Sequence, residues 1–168
     1  MLQLVDAKTG QLTNAANIFP EDAEAFIEPI PVDERDDLIA AYSKRLTGED
    51  KRIQLQCARA WSLWEMATCR LLQDKTTLEK ADDDKFALEF ARIENHYFTN
   101  GGFFEEDNQI IARANILNRH GIRGTIVQGR YDVVCPTRSA YELSKVGSRA
   151  KNGGVDVGIF VYGHNEQT

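Results

Sequence analysis

The apolar residues of this 168-residue chain change their spacing near Gly121, and that change limits the folds open to it. From Asn14 onward helical spacing dominates. Leu38, Tyr42 and Leu46 recur at every fourth position, and Ile53, Cys57, Trp61, Trp64 and Met66 populate a second helix. Phe86, Phe90, Ile93 and Tyr97 then fall at i, i+4, i+7 and i+11, one stripe of a third. Asp33 is the expected cap of the first of these helices, Thr47 to Asp50 separates it from the second, and the acidic run at 81–84 precedes the third, which ends at Asn100-Gly101-Gly102. A fourth helix, roughly 107–119, is expected to pack through Ile110, Ile111, Ala114 and Leu117, with Gly121 as its left-handed C-cap.

After Gly121 the pattern is different. Thr125-Ile126-Val127-Gln128 is a β-branched run between Gly124 and Gly129 and reads as a buried strand. Pro136 opens a helix through Leu143, and Val155 to Tyr162 alternates as a second strand. Strand, helix, strand is a βαβ unit, which belongs to a parallel sheet covered on both faces. The expected fold class is therefore α/β, a mostly helical region followed by a terminal piece of parallel sheet. Its expected divisions are a divergent lead-in over 1–13, a helical region over 14–120 and an α/β piece over 121–168.

Composition narrows the function classes. A net charge of −6 repels nucleic acid and anionic membranes, so neither is an expected partner. The chain has no long uncharged apolar run, its first residues lack the pattern of a secretory signal, and its mean hydropathy is −0.42, so the cytoplasm is the expected compartment. Cys57, Cys69 and Cys135 are odd in number and lack metal-ligand spacing, which points to reduced thiols and to no metal or other cofactor.

Two constellations can carry chemistry. Asp132 lies three residues beyond the first strand, and His164 lies beyond the second. Ligands collect at the C-terminal ends of strands in open α/β sheets, and an acid followed by a histidine there can orient an imidazole base. The alternative is ordinary turn capping by the Asp and a solvated His near the end of the sequence. The nucleophile that such a pair serves is missing: none of Ser43, Ser62, Ser139, Ser144 and Ser148 stands in G-x-S-x-G. In the helical region, Glu65 shares a helix face with Trp61, and Glu94 falls between Phe90 and Phe98. Carboxylates among aromatic rings suit an ammonium attached to a small apolar ring, each ion pair contributing about 4 kcal/mol before desolvation at an effective dielectric near 20. The competing reading is a solvated Glu on an amphipathic helix whose aromatic stripe is core.

Longer strings add a resemblance. Ile18-Phe19-Pro20, Pro29-Ile30-Pro31, Arg45-Leu46-Thr47, Ala60-Trp61-Ser62-Leu63-Trp64-Glu65, Ala91-Arg92-Ile93-Glu94-Asn95-His96-Tyr97-Phe98, Asn100-Gly101-Gly102-Phe103-Phe104-Glu105 and Gln128-Gly129-Arg130-Tyr131-Asp132-Val133-Val134-Cys135-Pro136 closely resemble the prolyl aminopeptidases (proline iminopeptidases). These are serine peptidases of the α/β-hydrolase fold, and the likeness is collinear from about Asn14 to Lys145. It implies a partial α/β-hydrolase: a helical cap, then the end of the hydrolase core, without the nucleophile half. By the same resemblance Asp132 matches the triad acid and His164 the triad histidine. Glu65 and Glu94 match the acids that hold the substrate's α-amino group, Phe98 an aromatic wall of the proline pocket, and Cys135 a thiol lining the site. The family places Gly-His-Ser closer to the acid than Gly163-His164-Asn165 stands here. The implied activity is release of N-terminal proline from peptides by the complete enzyme, with this chain inactive alone. A non-catalytic helical binding or interaction module is the alternative, and the sequence leaves the oligomeric state open.

Overall fold

A computed structural model describes residues 14–69, 75–147 and 155–160, the last segment as backbone. The expected lead-in over 1–13 and His164 lie outside the described residues. The chain divides into two compact units, one up to Phe103 and one from Phe104 onward.

The first unit is entirely helical among its described residues. It comprises α1 (Asn14–Ile18), α2 (Pro20–Ile27), α3 (Leu38–Leu46), α4 (Lys51–Thr68), α5 (Lys75–Leu78) and α6 (Asp84–Thr99), with short 3₁₀ turns between. Pro20 opens α2, where its missing N–H costs no helical bond. The cap of α3 is Asp37 and not Asp33: the Asp37 carboxylate accepts from the Ala40 N–H at 3.0 Å, while Asp33 sits inside the preceding 3₁₀ turn. Pro31 causes the shift, because its fixed φ starts that turn at Val32 and delays the α-helix by one turn. Asp50 caps α4 through two backbone N–H groups, of Arg52 at 2.9 Å and Ile53 at 3.2 Å. Replacing it with alanine is expected to destabilise this unit by about 1 kcal/mol, read as a shift of the urea midpoint at constant slope.

The core of this unit is aromatic. Phe26, Tyr42, Trp61 and Trp64 are essentially inaccessible to solvent. Phe26 stacks on Tyr42 at 4.6 Å between ring centroids, and Trp61 meets Tyr42 edge-on at 5.2 Å. The Tyr42 hydroxyl donates to the Phe26 carbonyl, which satisfies the polar end of a buried ring. Two long-range bonds tie α6 to α3: Arg92 Nε donates to the Leu46 carbonyl at 2.7 Å, and Asn95 Nδ2 to the Ile39 carbonyl at 3.0 Å.

Helix α6 corrects the stripe expected from the sequence. Its buried face is Ala87, Ala91 and Asn95, whereas Ile93 and Tyr97 are 61% and 54% exposed and Phe86 is also exposed. Trp61 and Trp64 already fill the space in front of α4, so α6 approaches through methyl groups and its larger side chains turn outward. Ser62 Oγ, donating to the Ala87 carbonyl at 3.2 Å, marks the closeness of α4 and α6.

The second unit contains α7 (Gln109–Arg113), α8 (Asn115–Arg119), β1 (Gly124–Gly129), α9 (Thr137–Gly147) and β2 (Val155–Phe160). The single fourth helix expected from the sequence is two short ones, broken at Ala114, whose side chain is buried while Ile110 is exposed. Gly121 adopts φ 62°, as a left-handed C-cap requires, and the Ile122 N–H returns to the Leu117 carbonyl at 2.9 Å. Strands β1 and β2 pair in parallel, Gly124 with Val155 through Gly129 with Phe160, so the unit is βαβ as expected. Strand β1 is not buried, contrary to its β-branched composition: Val127 is 65% exposed, because among the described residues its only strand neighbour is β2.

Candidate amino-group site and acid loop

Glu65 sits near the C-terminal end of α4, one turn after Trp61, and only 6% of its surface is exposed. Its Oε1 is buried with no hydrogen-bond partner among the described residues. Burial first, and then the neighbouring charge of Glu94, push its carboxyl up to about 9. An unpartnered buried acceptor costs on the order of 1–3 kcal/mol, so the fold tolerates a strained position here.

Glu94 reaches the same place from α6. Its Oε2 accepts the Trp61 Nε1–H at 3.0 Å, and its carboxyl is half-buried. Burial raises its pKa, while the indole hydrogen bond works in the opposite direction by favouring the carboxylate. Phe98, one turn further along α6, stands 5.9 Å from the Trp61 ring between centroids and is half-buried. The helical unit thus sets two of the sequence-derived candidates, Glu94 and Phe98, against one indole, and places a third, Glu65, near enough to Glu94 for their charges to couple. Three arginines on the surrounding helices bond elsewhere: Arg45 Nη1 to Glu34 at 2.6 Å, Arg92 Nε to the Leu46 carbonyl, and Arg59 to Asp84 at 2.6 Å. The acidic pair therefore has no guanidinium partner from those three arginines.

Asp132 belongs to the second unit and lies on the loop that leaves β1. Its Oδ1 accepts from the backbone N–H of Val134 at 3.1 Å and of Cys135 at 2.7 Å, and its Oδ2 accepts from Gln128 Nε2 at 3.1 Å. Gln128 Nε2 also donates to the Cys135 carbonyl at 2.8 Å, and Thr137 Oγ1 closes the loop on the Gly129 carbonyl at 2.7 Å. The Asp132 carboxylate is thereby fixed and exposed, and among the described residues it keeps one lone pair free on Oδ2. Cys135 is an exposed free thiol on the same loop. The parallel register sets the C-terminal ends of β1 and β2 side by side, and His164 follows Phe160 by four residues.

Two contributors were not singled out for these roles from the sequence. The spacing of four puts Trp61 beside Glu65 as a flanking ring but does not mark it as a donor to Glu94. Gln128 reads from the sequence as the end of a strand and not as a donor to Asp132. Among the described residues no group of His, Cys, Asp and Glu is arranged to hold a metal ion, and no helix is long and apolar enough to cross a membrane.

No protein-family model matches the chain. Individual relatives do. A proline iminopeptidase of Xylella fastidiosa is 49% identical over 136 residues, 81% of this chain and 43% of the relative. One of Arabidopsis thaliana is 49% identical over 138 residues, 82% of this chain and 36% of the relative. One of Neisseria gonorrhoeae is 41% identical over 131 residues, 77% of this chain and 40% of the relative. Over about four fifths of its length the chain is homologous to the proline iminopeptidases, of whose own length it spans about two fifths.

Proposed function

We propose that this chain carries the amino-group-binding helical unit and the acid-bearing core segment of a serine peptidase of the α/β-hydrolase fold that releases N-terminal proline from peptides. The observation that carries this reading is the identity of 49% over 136 residues with a proline iminopeptidase. A buried carboxyl with an orphaned acceptor, beside a second carboxyl that an indole N–H holds, supports it independently.

In this scheme Glu65 and Glu94 hold the free amino group, so cleavage falls one residue in. Phe98 packs on the pyrrolidine ring, and Cys135 lines the reacting end. A serine hydroxyl attacks the carbonyl after the proline and forms an acyl intermediate; His164 takes the hydroxyl proton and passes it to the leaving amine, and Asp132 orients the ring. The loop geometry suits that role, because two backbone N–H groups and Gln128 hold Asp132 while Oδ2 retains a lone pair for an imidazole N–H. The serine would come from polypeptide beyond these residues, since none of the five serines stands in G-x-S-x-G. Such an enzyme would act on cytoplasmic peptides without metal or cofactor.

Titrating the 168-residue polypeptide with L-prolinamide should change its tryptophan fluorescence saturably, because Trp61 bonds Glu94. A flat titration would contradict the binding role. Incubated with a proline arylamide and a fluorophosphonate probe, the same polypeptide is expected to release no arylamine and to take no label. Turnover would show that a nucleophile is present after all.

A further inference from the structure

The two acids of the helical unit are not equivalent. Glu94 is half-buried and one of its oxygens accepts a full hydrogen bond from an indole N–H. Glu65 is 6% exposed and its Oε1 accepts none from the described residues. Trp61, the donor, cannot move to serve Glu65 instead: it is fully buried, with its ring held against Phe26 at 5.7 Å, Tyr42 at 5.2 Å and Phe98 at 5.9 Å.

We propose that Trp61 is a positioning residue that assigns the negative charge of the pair to Glu94, leaving Glu65 as a neutral carboxyl whose orphaned Oε1 accepts one N–H of the bound amino group. This rests on the amino-group-binding reading above and specifies how that site recognises its ligand. A secondary ammonium such as proline's has two N–H bonds. One meets the Glu94 carboxylate and supplies the charge-assisted bond, and the other satisfies the Glu65 carbonyl oxygen. The complex is then neutral: one cation, one carboxylate, one carboxylic acid. Two carboxylates around one ammonium would leave a net negative charge beside the fully buried Trp61, where burial penalises it heavily.

Among the described residues, the groups facing the pair are consistent with one charge. From α4 come Glu65 itself and Trp61, and from α6, Glu94; Tyr42 of α3 meets the Trp61 ring, and its hydroxyl proton is committed to the Phe26 carbonyl. Arg45 on α3, Arg59 on α4 and Arg92 on α6 bond Glu34, Asp84 and the Leu46 carbonyl respectively. None of the three offsets a second carboxylate.

Glutamine separates the two roles, because it keeps volume and a carbonyl acceptor while removing the charge. Calorimetric titration with L-prolinamide at neutral pH is expected to leave Glu65→Gln within about threefold of the parent affinity, and to weaken Glu94→Gln by about 30-fold. Equal losses in both variants, or a larger loss in Glu65→Gln, would overturn the assignment. A ligand-free measurement keeps it testable on its own. Of the two indole N–H resonances, Trp61's should shift with pH as Glu94 ionises, and that shift should persist in Glu65→Gln and vanish in Glu94→Gln. An indole pair that never follows Glu94 would overturn the positioning role even if prolinamide binds. Conversely, a titrating Trp61 signal without any prolinamide binding would leave the charge assignment standing and refute the amino-group reading on which its ligand was chosen.

Discussion

Truncating Trp61 to alanine is expected to destabilise the helical unit by about 3–5 kcal/mol, a large part of the stability of a small domain. The reason is the number of groups that lose a partner together. The ring is fully buried against Phe26, Tyr42 and Phe98, each from a different helix, and its N–H is the only donor to Glu94 from the described residues. Removing it opens a cavity bordered by stiff aromatic rings, which collapse poorly into empty space. Trp64 remains as the fluorescent reporter, so a urea titration followed by its emission measures the loss directly. A change below about 1 kcal/mol would mean that the indole does not carry the packing described for it.

The second large effect is a dependence of stability on pH. Glu65 is pushed up to about 9 in the folded chain, against an ordinary value of 4.5. Between those two values the folded state holds a proton that the unfolded state has released. Stability must therefore be greatest below pH 4.5 as far as this group is concerned, and must fall as pH rises toward about 9. The slope for one such group is about 1.4 kcal/mol per pH unit in the middle of that window. Glu94 is raised as well and works in the same direction. Glu65→Gln, neutral at every pH, should flatten the profile and make the helical unit more stable than the parent at pH 8. A parent profile that rises from pH 5 to 8, or a Glu65→Gln variant with the parent's slope, would show that Glu65 is not buried in its acid form.

Much of this architecture can be read from particular residues. Asp50 announces α4 because a carboxylate followed by an apolar period has few other uses, and Gly121 announces the end of α8 because few other residues tolerate φ 62° cheaply. Gly124 and Gly129 stand as the first and last residues of β1, where a β-branched run between two glycines puts the strand. What failed was anything decided by a neighbour. Helix α6 carries two stripes, one of Phe86, Phe90, Ile93 and Tyr97 and one built on Ala87 and Ala91, and hydrophobicity favours burying the first. The tryptophans of α4 reverse that choice by occupying the volume, a fact held on another helix. The cap of α3 moved from Asp33 to Asp37 for a subtler reason, the 3₁₀ turn that Pro31 begins.

The acidic site was legible to the same degree. Spacing alone put Glu65 on the face of Trp61, but the bond from Trp61 to Glu94 spans two helices and depends on how α6 is rotated. The same rotation that turns Ile93 and Tyr97 outward brings Glu94 onto the indole. At the other unit, the position of Asp132 beyond a strand was clear, whereas the support from Gln128 requires the loop to fold back on its own strand.

The central claim is that the helical unit reads a free amino group, and paired calorimetric titrations with L-prolinamide and N-acetyl-L-prolinamide test it most directly. The ligands share the pyrrolidine ring and the amide and differ in whether the nitrogen can carry charge and donate hydrogen bonds. Saturable binding of L-prolinamide, with the acetylated ligand weaker by about 30-fold or more, is the predicted result. Equal affinity for the two ligands would contradict the account, because the acidic pair would then play no part in recognition.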